Sequence, residues 1–305
     1  VLDRVTVIDT DITDPDLGGK LAGCEFDTVI NCAAVVKHFA ADDSIERVNV
    51  GGVTNLIGVA RSKGAVLVQI STESVAGESV NGSIPADRKL RENELDFGQN
   101  LDNKYANSKF MAEAAIIREI PGGLRAKIIR VGNLMSRDSD GEFQINFRTN
   151  AFMNQMRSYV KLGFFSVSDM DTEVEFSPID SVAKAVVLLA GTPDRFTVFH
   201  VDNCHKVHMA NVLKVMRDNG MNVEVVSPKV FEERFVEALR DEAKGEYVSG
   251  LISYLGNAGE TRRFVACDDS YTVKALYRLG FSWPIITEQY IDRAFKSLIS
   301  MRFFR

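Results

Sequence analysis

Four short runs of aliphatic residues limit what this chain can fold into. They are Val5-Thr6-Val7-Ile8-Asp9, Thr28-Val29-Ile30-Asn31-Cys32, Val66-Leu67-Val68-Gln69-Ile70 and Lys127-Ile128-Ile129-Arg130-Val131. Each is apolar at nearly every position rather than at every second one. A strand of that kind must be covered on both faces, as strands of a parallel sheet are. Helix candidates separate the runs. Val53, Leu56, Ile57 and Ala60 recur at helical spacing, and a second helix is expected from about Asn103 to Ile120, stopped by Pro121-Gly122-Gly123. The β-α-β-α order predicts an α/β fold with a doubly wound parallel sheet. Residues 141–175 interrupt the rhythm, with a helix expected over Asn150–Tyr159. It resumes with a helix through Val182, Val186 and Leu189 and a strand at Thr197–Val201. Beyond 205 the pattern is mostly helical, over 206–218, 229–242, 270–279 and 287–300, with one short strand at Val223–Val226. The expected organisation is a sheet domain over 1–140 and 176–204 and a smaller, mostly helical domain over 141–175 and 205–305.

Composition narrows the function class. A net charge of −6 argues against broad nucleic-acid binding, which needs a basic footprint. No apolar run reaches the roughly 18 residues of a membrane span, and no signal peptide opens the chain. Cys24, Cys32, Cys204 and Cys267 are not spaced as zinc pairs or as a CxxC motif, so reduced thiols in a cytoplasmic protein are expected. His205 and His208 beside Cys204 lack a second ligand cluster, and no metal is expected. A dinucleotide-binding sheet is normally entered through a strand, a Gly-rich turn and a helix, yet no GxGxxG lies near the first strand. If Val5–Asp9 is really the third strand of such a sheet, the Gly-rich β-α-β segment is absent from this sequence, and the expectation is that residues precede Val1.

Chemistry enters with Tyr105-Ala106-Asn107-Ser108-Lys109. On a helix, positions i and i+4 share a face, so the Lys109 ammonium lies near the Tyr105 phenol. A nearby cation favours the phenolate and makes the phenol a usable proton donor. Alone, the pair also reads as an ordinary helix face. The run Val66–Ile70 leads directly into Ser71-Thr72-Glu73-Ser74-Val75, placing hydroxyls where parallel sheets bind ligands, beyond the carboxyl ends of their strands. The plainer role for Ser71, Thr72 and Ser74 is to cap a turn. Cys32, at a strand end among small residues, reads as a buried packing group rather than a nucleophile. Phe164-Phe165 and Leu251–Leu255 could wall an acyl channel, but such residues are more often core.

Together, Thr72-x-x-Val75 and Tyr105-x-x-x-Lys109 resemble the extended short-chain dehydrogenase/reductase superfamily, whose fold is Rossmann-like. Asp11-Ile12 resembles its adenine-contacting pair. Asn31-Cys32-Ala33-Ala34 resembles the turn beside the cofactor, and Asn49-Val50-x-Gly52 its helix asparagine, linked through water to the active-site lysine. Arg130-Val131-Gly132-Asn133 resembles the strand end at the nicotinamide. Within the superfamily, Asp11–Gly18, Ala33-Ala34-Val35-Val36-Lys37-His38, Val131–Arg137 and Leu279–Pro284 resemble the C-terminal thioester reductase domain of nonribosomal peptide synthetases and carboxylic acid reductases. The resemblance implies NADPH-dependent reductive release of an acyl or peptidyl thioester from a phosphopantetheinyl carrier-protein domain, as aldehyde or on to alcohol, with NAD left open as cofactor. Thr72, Tyr105, Lys109 and Asn49 would form the catalytic set. Asp11, Ile12, Ala33, Ala34, Val35, Lys109, Val131 and Asn133 would hold the cofactor, and Lys37, His38 and Ser74 would face substrate. The larger domain would then bind cofactor and the smaller one substrate, without membrane or nucleic acid. Two other readings stand beside this one. A nucleotide-sugar epimerase or dehydratase shares the same triad, although the acidic Glu232, Glu233, Asp241 and Glu242 suit a diphosphate poorly. The other is a non-catalytic interaction module.

Overall fold

A computed structural model describes residues 4–36, 43–145, 147–241, 244–252 and 260–305. The chain divides into two compact units, Val1–Val131 with Val187–Val201 and Arg262–Ala275, and Gly132–Val186 with Asp202–Thr261 and Leu276–Arg305.

The first unit is built on a four-stranded parallel sheet. Its strands, in spatial order, are β1 (Thr28–Asn31), β2 (Val66–Thr72), β3 (Ala126–Val131) and β4 (Val198–Val201). Helix α1 (Gly52–Lys63) connects the first pair and α2 (Lys104–Glu119) the second. β3 is buried at all six positions, and β2 at six of its seven, as the unbroken apolar runs require. Leu56, Ile57 and Ala60 of α1 pack with Leu67, Ile128, Ala112 and Ile116 in one core cluster. The register aligns Asn31 with Gln69, and their side-chain amides meet in a buried hydrogen bond of 2.9 Å. Local chemistry closes two of the helix ends. The Asn103 side chain accepts from the Ala106 N–H to start α2, and Gly64 ends α1 in the left-handed conformation.

Two expectations fail in this unit. Val5–Asp9 forms no strand, and Val7 is 87% exposed. β-propensity supplies no hydrogen-bond partner, and β1, the nearest strand of the sheet, pairs with β2 alone among the described residues. Segment 262–275, expected in the smaller domain, belongs instead to the sheet unit. Arg262–Phe264 pairs antiparallel with Glu78–Val80, and Ala266–Cys267 pairs with Lys89–Leu90.

The second unit is mostly helical. Helices Ala151–Leu162, Met209–Asp218, Pro228–Arg240, Gly245–Ile252 and Glu288–Ser300 surround a core rich in Met and Phe, including Met153, Met156, Phe165, Phe176, Phe235 and Phe295. Phe164 and Phe165 are core residues here, and Phe164–Ser166 pairs with Glu224–Val226. Helix Gly245–Ile252 was not foreseen in the sequence. Leu251 joins the core, and residues 253–255 lie outside the described residues. Among the described residues, no helix is long and apolar enough to cross a membrane.

Gly77 closes the turn that follows β2, with φ +61° and ψ −151°, a region open essentially only to glycine. A Cβ there would overlap the Asn100 carbonyl oxygen. Gly77→Ala should therefore cost roughly 1–3 kcal/mol, read as a lower urea midpoint at unchanged slope.

Candidate active site

The carboxyl end of β2 meets one face of α2, and three successive strand residues take three helix residues. The Lys109 Nζ donates to the Ile70 carbonyl at 2.6 Å. The Ser71 hydroxyl donates to Glu113 Oε1 at 2.5 Å. The Thr72 hydroxyl is hydrogen-bonded to the Tyr105 phenol. Helix positions 105, 109 and 113 repeat at i, i+4 and i+8, so they share one face. Thr72, Tyr105 and Lys109 are thus brought together. Thr72 also has the turn-capping role, accepting from the Ser74 N–H at 3.1 Å, and lies within hydrogen-bond distance of the Ser74 hydroxyl at 3.1 Å.

Burial sets the electrostatics of this group. It pushes the Tyr105 phenol up, and the Thr72 hydrogen bond works against it. Desolvation pulls Lys109, which is 3% exposed, down to about 8, with the Glu113 carboxylate holding it up and Cys32 adding a smaller push. Cys32 is exposed rather than buried, because β1 ends there at the rim of the sheet. Its thiol is nonetheless pushed up by partial desolvation despite nearby Lys109, the reverse of what a thiolate nucleophile needs.

Asn49 lies buried in the π-helical turn Arg47–Gly51. Its Oδ1 accepts the Val35 N–H at 2.8 Å, and its Nδ2 donates to the Val35 carbonyl at 3.1 Å and the Ser108 hydroxyl at 2.9 Å. It therefore fastens the loop after β1 to the residue next to Lys109. Ala33 is exposed and Ala34 and Val35 are half-buried along that loop. Asp11 is exposed and accepts the Thr13 N–H at 2.8 Å, which lowers its carboxyl below the usual range. Asn55 of α1 holds the Ile12 carbonyl at 2.9 Å, and Ile12 itself sits against Gly52, where a Cβ would strike it. Val131 ends β3. Lys37 and His38 lie outside the described residues.

Asn133 belongs to the second unit. Its backbone N–H donates to Glu175 Oε2 at 2.5 Å, and Glu175 Oε1 accepts from the Ser177 hydroxyl and from the Asn203 N–H at 3.2 Å. Burial pushes Glu175 up to about 7, with Asp202 acting in the same direction and the hydrogen bonds opposing.

The sequence reading missed the buried charges behind the triad. Arg130 and Glu113 are both fully buried and pair at 2.8 Å. Arg130 Nη1 donates to His200 Nε2 at 3.0 Å, while His200 Nδ1–H donates to the Asp268 carbonyl at 2.8 Å, which fixes the neutral tautomer. One signal was available: an arginine inside an otherwise apolar, doubly covered strand must have a buried anionic partner.

These residues can accept a nicotinamide cofactor at the strand ends. The described residues after β1 are small-chained and at least partly exposed, and the Thr72–Tyr105 pair and Lys109 lie at the adjoining end of β2. A family model described as male sterility protein, an NAD-binding family, matches residues 1–186. The chain belongs to this family. Across its full length the chain is 38% identical to a thiolation-reductase di-domain from an archaeal non-ribosomal peptide synthetase, of which it covers 64%, with a TM-score of 0.88. It is 26% identical to the reductase domain of the aureusimine biosynthetic cluster, over 98% of this chain and 75% of that one, with a TM-score of 0.78. Glycine betaine reductase ATRR of Emericella nidulans is 25% identical over 237 residues, 74% of this chain but only 18% of that relative's length. The family membership and the parallel α/β fold agree with the expectation drawn from the motifs. Among the described residues, no group of three or more His, Cys, Asp or Glu side chains could hold a metal ion.

His200 adds a pH dependence to the fold. Burial, then the Arg130 charge, pull its imidazole down to about 4. A group depressed in this way contributes stability that is present above its unfolded value of about 6.5 and lost as pH falls through the folded value. Between pH 6.5 and 4, wild type should lose roughly 3 kcal/mol more than His200→Gln, which takes up no proton there, measured by urea unfolding across that range.

Proposed function

We propose that this chain reduces an acyl or peptidyl thioester carried on a phosphopantetheine arm, releasing it as an aldehyde, with NADPH as reductant. The observation that carries the reading is the Thr72–Tyr105 hydrogen bond beside buried Lys109, at the end of a parallel strand. Its support from outside the chain is the full-length likeness to the reductase portion of a thiolation-reductase pair. A carrier protein as donor of the acyl group belongs to the same proposal.

A bound nicotinamide supplies the hydride. Ala33, Ala34 and Val35 after β1 and Val131 at the end of β3 would carry it, with Asp11 and Ile12 of the turn before Asn55 towards its adenine, and Lys109 would hold its ribose. The Thr72 and Tyr105 hydroxyls donate hydrogen bonds to the thioester oxygen as charge develops there, and Tyr105 can pass its proton to that oxygen. The Lys109 ammonium stabilises the phenolate left behind. The resulting hemithioacetal breaks its C–S bond, the oxygen regains its double bond and yields its proton, and the sulfur leaves as a thiol. Thioester, NADPH and a proton are converted to aldehyde, thiol and NADP. No step requires a covalent enzyme intermediate, consistent with the raised thiol of Cys32.

Tyr105→Phe keeps the ring and removes the donor. It should lower thioester-dependent NADPH oxidation by roughly 10²- to 10³-fold, with the circular dichroism spectrum unchanged. Turnover of the variant at the wild-type rate on an acyl-pantetheine thioester would overturn the assignment.

A further inference from the structure

We propose that Glu113 is a positioning residue for Lys109, and that Arg130 and His200 form the buried support that keeps Glu113 in place. The inference rests on the reading above, in which Lys109 serves a reduction, and extends it one helical turn deeper into the fold.

The geometry is specific. Glu113 lies four residues beyond Lys109 on α2, fully buried, and makes no use of solvent. Its Oε1 takes the Ser71 hydroxyl, and both its oxygens take Arg130, with Nε at 3.2 and 3.0 Å and Nη2 at 2.8 Å. Arg130 is itself held by the Glu94 carbonyl at 2.8 Å, the Arg91 carbonyl at 3.4 Å and His200 at 3.0 Å. The charged and titratable groups facing Lys109 are Glu113 from its own helix and Cys32 from the end of β1. Tyr105 precedes it by one turn, and β2 offers the neutral Ile70 carbonyl. Those facing Glu113 are Lys109 and Arg130, with His200 behind Arg130.

Charge bookkeeping gives the cluster its meaning. Lys109 and Arg130 are cations, Glu113 is the anion paired with Arg130 one helical turn from Lys109, and His200 is held neutral. The cluster carries one net positive charge, which the negative charge developing at Tyr105 and the substrate oxygen would balance. Without Glu113, Lys109 would lose the carboxylate that opposes its desolvation and would give up its proton more easily. A salt bridge wanted only for stability has no need of this placement, since an apolar pair would serve as well or better.

The test reads Lys109 directly, without substrate. The ε-methylene carbon of lysine is isotopically labelled in the full chain and followed by NMR against pH, with the signal assigned by its loss in Lys109→Arg. Glu113→Gln preserves shape and hydrogen-bonding capacity but removes the charge. The expected result is a Lys109 midpoint lower by about one pH unit or more, with the alkaline limb of thioester-dependent NADPH oxidation moving down in parallel. Glu113→Asp should return both towards wild type. An unchanged midpoint in folded Glu113→Gln overturns the proposal. Should that variant fail to fold because Arg130 is left unpaired, Glu113→Gln with Arg130→Met leaves no buried charge uncompensated at that point. In that variant a midpoint at or above the wild-type value is the overturning result, and a lower one supports the proposal. Absence of turnover in wild type would count against the thioester reading alone, because the NMR titration is independent of it.

Discussion

The contact on which the site depends is the seam between the end of β2 and one face of α2. Three consecutive strand residues offer a carbonyl, a hydroxyl and a hydroxyl, and the helix answers with Lys109, Glu113 and Tyr105. The seam works because two periodicities meet. A helix repeats its face every three to four residues, whereas a strand ending in a turn frees its last side chains and its last carbonyls at one place. Burial then raises what each contact is worth. In a low-dielectric interior a polar group must be partnered, and here the partners come from one strand end and one helix face.

Burial also explains why the site is electrostatically ordered instead of merely polar. Desolvation pushes the Tyr105 phenol up and the Lys109 ammonium down, both towards the neutral form. Two local influences resist it, the hydrogen bond of the Thr72 hydroxyl to the phenol and, through space, the charge of the Glu113 carboxylate on the ammonium. The outcome is a protonated phenol beside an ammonium whose charge desolvation has not removed. Cys32, close by, is subject to the same desolvation without a strong enough counterweight, and stays a thiol.

The parallel sheet and the shared helix face of Tyr105 and Lys109 were legible in the sequence because each leaves a local mark. Doubly covered strands write continuous apolar runs, and residues on one helix face write an i, i+4 spacing. What escaped was whatever depends on a distant partner. Val5–Asp9 has the composition of a strand but pairs with no strand among the described residues. Residues 262–267 carry no sign that they pair with 78–80 and 89–90, far back in the chain. Glu113, Arg130 and His200 come from a helix and two strands widely separated in sequence, and only folding unites them. The placement of Asn49 was half legible. A helix asparagine linked through water to the lysine was expected; its direct bonds, to Val35 and to Ser108 beside that lysine, left no mark in the sequence.

The central claim is that two hydroxyls converge on a single carbonyl oxygen. The most direct measurement is a crystal structure of the protein with NADP and a non-hydrolysable ketone analogue of an acyl-pantetheine thioester. The account predicts the ketone oxygen within about 3 Å of both the Thr72 hydroxyl and the Tyr105 phenol. An analogue bound with its carbonyl turned away from both groups, while the cofactor is in place, would contradict it.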